Sequence, residues 1–121
     1  MKNHPAQFRD RFNELVGSLC ISTITLGELH YGLEKSTQPQ RNLNDLIQFA
    51  ARLDILPFTA QAAAHFGQLR CELERAGQPA GSYDMLIGAH ARSEGLIVVT
   101  NNVREFARMP GLRVENWVTT T

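Results

Sequence analysis

The hydrophobic positions of this chain alternate between helical spacing and short unbroken apolar runs. Phe8, Phe12 and Leu15 share one face of a helix predicted over residues 5–16, and a short β-branched strand follows over 19–23. A helix is expected over 25–35. In the next one, over 40–53, Leu43, Leu46, Ile47, Ala50 and Leu53 form the apolar face. Residues 54–58 read as a strand, after which Thr59 can cap a long helix that buries Ala62, Phe66, Leu69 and Leu73. The run Gly77-Gln78-Pro79-Ala80-Gly81 breaks that helix. Ser82 can cap its successor, which runs to Ser93 with Gly95 beyond its end.

Leu96-Ile97-Val98-Val99-Thr100 lacks polar alternation, the pattern of a strand covered on both faces in a parallel sheet. A short helix through Ala107, Gly111 and a last strand over 113–117 complete the chain. Strands alternating with helices predict an α/β fold: a three-layer α/β/α sandwich around a parallel sheet. At 121 residues the chain is expected to form one domain.

Composition narrows the picture only slightly. The hydrophobic fraction of 43% and charged fraction of 20% are those of an ordinary globular chain. No apolar run is long enough to cross a bilayer and the start has no signal-peptide pattern, so the expected location is cytoplasmic. Cys20 and Cys71 have no metal-ligand or redox spacing, and read as two buried free thiols. His4, His30, His65 and His90 share no ligand spacing and read as surface or half-buried positions. The formal net charge is zero, which does not by itself argue for nucleic acid. Ten of the twelve basic residues are Arg, whose forks suit phosphates and structural ion pairs equally well.

Several acids and amides fall where the chain leaves a strand or opens a helix: Glu28, Asp84, Asn101, Asn102 and Glu105. Carboxylates that converge from separate elements can hold Mg2+ or Mn2+ through oxygen. Each also has a structural reading. Thr25-x-x-Glu28 matches a capping box, and Glu105 could complete another with Asn102. Asp84 suits the dipole of a helix start. Asn101-Asn102 suits a turn with an Asx cap.

In combination these segments resemble a family. Thr25-Leu26-Gly27-Glu28-Leu29-His30-Tyr31-Gly32-Leu33-Glu34-Lys35-Ser36 resembles the second motif of PIN-domain ribonucleases of the VapC toxin type. Gly77-Gln78-Pro79-x-Gly81-x-x-Asp84-x-x-Ile87-x-Ala89-x-Ala91 resembles the third. Leu96-Ile97-Val98-Val99-Thr100-Asn101-Asn102-x-Arg104-Glu105-Phe106 resembles the fourth, and Gly111-Leu112-Arg113 with Asn116-Trp117 a similar ending. The resemblance implies a Mg2+- or Mn2+-dependent endoribonuclease with Asp84 and Glu28 as metal ligands. Asn101, Asn102 and Glu105 would complete the polar rim. It also implies a VapB-type antitoxin as partner and tRNA, initiator tRNA among the enteric-type members, as substrate.

One element of the family pattern is missing. The family opens with a buried strand ending in an Asp-Thr-Asn motif, whose Asp is the first metal ligand. This chain starts at Met1-Lys2-Asn3-His4-Pro5, where the family enters its first helix. Asp10, between Arg9 and Arg11, reads as a surface acid and no substitute. The neighbours of the missing strand would lose their ladder partners. The expected remedies are a start upstream of Met1, or closure of the sheet by a homodimer, including one that exchanges elements. A marginally folded remnant of a toxin is the third expectation.

Two functions from different classes therefore stand side by side: an active ribonuclease, and an inactive PIN domain that still binds antitoxin or RNA. A small-molecule or phosphate-binding module has no support, because no GxGxxG or Walker-type loop is present.

Overall fold

A computed structural model describes residues 6–117, apart from the side chains of Gln7, Phe8 and Val16. The expected contribution of Phe8 to the first helix, the Pro5 start of that helix and His4 lie outside the described residues. The chain separates into two compact units, residues 1–57 and 58–121.

The first unit contains α1 (Ala6–Leu15), a 3-10 turn (Val16–Ser18), β1 (Cys20–Ser22), α2 (Thr23–Lys35), α3 (Pro39–Ala50) and β2 (Asp54–Leu56). β1 and β2 run parallel, with Cys20 opposite Asp54 and Ser22 opposite Leu56. The Ser22 hydroxyl accepts the N–H of Ile24 at 3.0 Å, so α2 begins at Thr23, two residues before the expected start. Phe12, Leu33 and Leu46 are buried, and Phe12 stacks on Phe49 with ring centroids 5.6 Å apart. The Arg52 guanidinium lies 4.9 Å from the centre of the Phe12 ring and donates to Asn13 Oδ1 at 3.2 Å. Asp10 is exposed, as expected for a surface acid.

The second unit contains α4 (Ala60–Arg75), α5 (Ser82–Glu94), β3 (Ile97–Val99), α6 (Val103–Phe106) and β4 (Arg113–Glu115). The Thr59 hydroxyl caps α4 by accepting the N–H of Ala62 at 3.2 Å. Leu69, Leu73, Met85, Ala89, Val98, Phe106 and Met109 form one core, against which Phe66 and Val114 pack. The expected apolar face of α4 is therefore spent inside this unit. Gly95 ends α5 with φ 69°, the left-handed conformation that a glycine adopts most cheaply. β3 pairs parallel with β4, Val98 opposite Val114.

The α/β class and the parallel pairing are as expected, but the described strands are three residues each and form two separate pairs. β3 is not covered on both faces. Val98 is buried whereas Ile97 is 42% exposed, because successive strand side chains point to opposite faces and only the Val98 face meets the core. Two smaller expectations are also corrected. His90 is buried, its ring edge against Phe58 with centroids 5.4 Å apart, since it faces inward on the second half of α5. Cys20 and Cys71 are free thiols but only half-buried.

An acidic site at the start of α5

The loop before α5 is held from two directions. Arg108 donates to the Pro79 carbonyl at 3.2 Å, and the Gly81 N–H donates to Glu105 Oε1. Gly81, in an extended conformation (φ −59°, ψ 143°), is the N-cap of α5. Ser82 is not: it is already helical, and no side chain caps this end. In a capping box the N-cap N–H would go to the acid three residues on, here Asp84. Glu105 takes that N–H instead, from 24 residues away.

Asn102 joins the two acids. Its Nδ2 donates to Asp84 Oδ2 at 3.3 Å and to Glu105 Oε2 at 3.0 Å. The Asn102 backbone N–H goes to Thr100 Oγ1 at 2.9 Å. This excludes the capping box with Glu105, which needs that N–H, and the Asn102 side chain makes no cap bond. The capping reading of Thr25 and Glu28 falls too, because Ser22 is the N-cap of α2 and Thr25 lies within the helix.

The surroundings of Glu105 hold its carboxyl below the ordinary carboxylate range. The Gly81 N–H contributes most and the Asn102 amide next; partial burial opposes them, while hydrogen bonding with Asp84 and the charge of Arg108 assist. Glu105 is thus an anion beside a second carboxyl group, and the two share one amide donor.

Of the five expected site residues, three meet here: Asp84, Asn102 and Glu105. Glu28 is exposed in the second turn of α2, in the first unit. Asn101 is exposed and makes no hydrogen bond among the described residues. Sequence reasoning missed Gly81 as a backbone donor and Thr100 as the acceptor that orients Asn102. The Thr100-x-Asn102 spacing, that of a hydroxyl turn, was the available signal.

Two carboxylates supply hard oxygen donors of the kind that Mg2+ and Mn2+ prefer. Among the described residues no group of three His, Cys, Asp or Glu side chains is close enough to hold a metal ion. A pair of carboxylates still fits magnesium, which commonly keeps several waters and is bound through one or two carboxylates with substrate phosphates.

The PIN domain family profile matches residues 1–112, across both units. The chain belongs to the VapC family of PIN-domain proteins. It is 55% identical over 117 residues to the tRNA(fMet)-specific endonuclease VapC of Shigella flexneri, covering 97% of this chain and 89% of that protein. With ribonuclease VapC2 of Haemophilus influenzae (strain ATCC 51907 / DSM 11121 / KW20 / Rd) the identity is 49% over 118 residues, 98% of this chain and 89% of the relative. Among solved structures, DNA-bound VapBC from Salmonella typhimurium matches with a TM-score of 0.93 and 54% identity over 97% of this chain and 89% of that one. The α/β elements described above are therefore those of the PIN sandwich.

Proposed function

We propose that this chain is the toxin of a toxin–antitoxin pair, a metal-dependent endoribonuclease that cuts tRNA, with initiator tRNA as its preferred target. The names of the relatives support the substrate, and their solved complexes support a VapB-type antitoxin as partner. No described helix is long and apolar enough to cross a membrane, which is consistent with a cytoplasmic location. The family match across both units supports their working as one PIN-like domain over residues 1–121. A homodimer completes the proposal.

The observation that carries the site is the single Asn102 amide drawn to both Asp84 and Glu105. Asp84 and Glu105 would hold a Mg2+ or Mn2+ ion through their oxygens, with Asn101 as a polar contact at the rim. Such an ion, once bound, supplies a water of lowered pKa and neutralises charge on the phosphate. The chain's own groups do the positioning. Asn102 fixes the separation of the two carboxylates, and the Gly81 N–H keeps Glu105 ionised and aimed.

A cleavage time course on initiator tRNA with manganese tests this reading, using this chain, its Asp84→Asn variant and a version extended upstream by an Asp-bearing strand. Cleavage by the parent that Asp84→Asn and EDTA both abolish is the expected result. Cleavage by the extended version alone would instead assign this chain the role of an inactive binding domain.

A further inference from the structure

Among the described residues, the phenylalanines and tyrosines are divided by type. Phe12 and Phe106 are buried and Phe49, Phe58 and Phe66 half-buried, whereas Tyr31 and Tyr83 are 65% and 61% exposed. Tyr31 has a partner: the Lys35 ammonium lies 5.2 Å from its ring centroid. Tyr83 makes no hydrogen bond or ring contact among the described residues, and it immediately precedes Asp84. Leaving a large ring in water forgoes the apolar burial that the phenylalanines obtain.

We propose that Tyr83 is the base-stacking residue of the acidic site, taking an unpaired RNA base next to the phosphate drawn to the cation that Asp84 and Glu105 would hold. The proposal rests on the ribonuclease reading above. Tyr83 and Asp84 are consecutive in the first turn of α5, with Cα atoms ~3.8 Å apart and side chains that leave the helix about 100° apart, so a base on Tyr83 belongs to a nucleotide near, and not at, the one whose phosphate reaches the site. The net charge of zero means that long-range attraction to phosphates is weak, and affinity must come from local contacts. Stacking on an exposed ring is such a contact, and it selects the unpaired bases of loops over duplex. The ring is also well presented. Arg108 on the Pro79 carbonyl and Glu105 on the Gly81 N–H pin the backbone just before it, so little order remains to be imposed on binding.

The test uses RNA stem-loops carrying 2-aminopurine at single loop positions, mixed with the full unsubstituted chain and manganese and read by stopped flow before cleavage. Stacking quenches the fluorophore. The expected result is quenching at one loop position, kept in a Tyr83→Phe variant and lost in Tyr83→Ala, which also binds roughly tenfold or more weakly. Because stacking releases no counterions, that ratio should hold between about 50 and 200 mM salt. Equal quenching and affinity in Tyr83→Ala, or no binding of the stem-loops by the parent, would overturn the proposal. Failure of the cleavage reading is seen separately, as absence of cut tRNA with the unsubstituted chain.

Discussion

Glu105 accepts the backbone N–H of Gly81, the residue that caps α5, and so closes a contact between two segments 24 residues apart. A side chain from α6 thereby sets the start of the helix that carries Asp84. The local sequence of α5 offers Asp84 for the same N–H, so the tertiary contact has displaced the local one.

Because its surroundings lower the Glu105 pKa in the folded state, its ionisation adds stability above the unfolded value, near the reference 4.5. That contribution disappears as pH falls through the folded pKa. Glu105→Gln keeps an oxygen for Gly81 but not the charge. Urea midpoints should show the variant less stable than the parent at pH 7, with the gap closing as pH falls below the reference 4.5 and through the lowered folded-state value. A gap independent of pH would assign the loss to packing.

Gly81 has an ordinary φ, so alanine is sterically allowed to its own backbone. Its Cβ would sit 3.3 Å from Glu105 Oε1 and 3.7 Å from Asp84 Oδ2. The Glu105 carboxylate must then move by a few tenths of an ångström. Gly81→Ala should fold with a stability within about 1 kcal/mol of the parent yet cut tRNA on the order of tenfold more slowly, read from single-turnover rates. Unchanged rates would show that the site tolerates the shift.

Gly88 lies in the middle of α5, where alanine would ordinarily stabilise the helix by about 1 kcal/mol. Here a Cβ would collide with Met109 Sδ and meet Leu112 Cδ2 at 3.4 Å. Met109 is 2% exposed and has little room to retreat. The collision should prevail, and Gly88→Ala should lose roughly 1–3 kcal/mol in denaturant titrations.

Arg92 ties α5 to α4 and to the loop before β4. Its Nε donates to His65 Nδ1 at 3.0 Å, Nη2 to the His65 carbonyl at 3.3 Å and Nη1 to the Pro110 carbonyl at 2.9 Å. Glu72 completes the set at 3.7 Å. Lysine keeps the charge but cannot reproduce a planar fork with three separate acceptors. Arg92→Lys should therefore cost about 1–3 kcal/mol by thermal or urea unfolding. A cost equal to that of removing an exposed pair such as Arg70 and Glu74, typically under about 1 kcal/mol, would mean that charge alone matters there.

Ile47 stands 57% exposed on α3, whose neighbour Leu46 is buried. Light scattering is expected to give a dimer, and Ile47→Glu to shift it towards monomer. A stable monomeric parent would contradict the proposed homodimer.

Order and type of the elements were legible because each follows from local spacing. The α4 face at Ala62, Phe66, Leu69 and Leu73, the Thr59 cap and the Gly95 stop all need only residues within a few turns of one another. The misread starts of α2 and α5 have different causes. Near α2 the hydroxyls of Ser22, Thr23 and Thr25 compete and the backbone conformation selects Ser22, whereas at α5 the one nearby hydroxyl, Ser82, is already helical and Gly81 takes the cap position.

The sequence by itself determined the α/β class, the family and the acids and amides from which a site could be built, because motif spacing and hydrophobic period are properties of the chain. Tertiary structure alone decided which of them meet. Asp84, Asn102 and Glu105 share hydrogen bonds while Asn101, beside Asn102, makes none among the described residues. Adjacent side chains point in different directions once the backbone turns, and only the folded backbone specifies that turn.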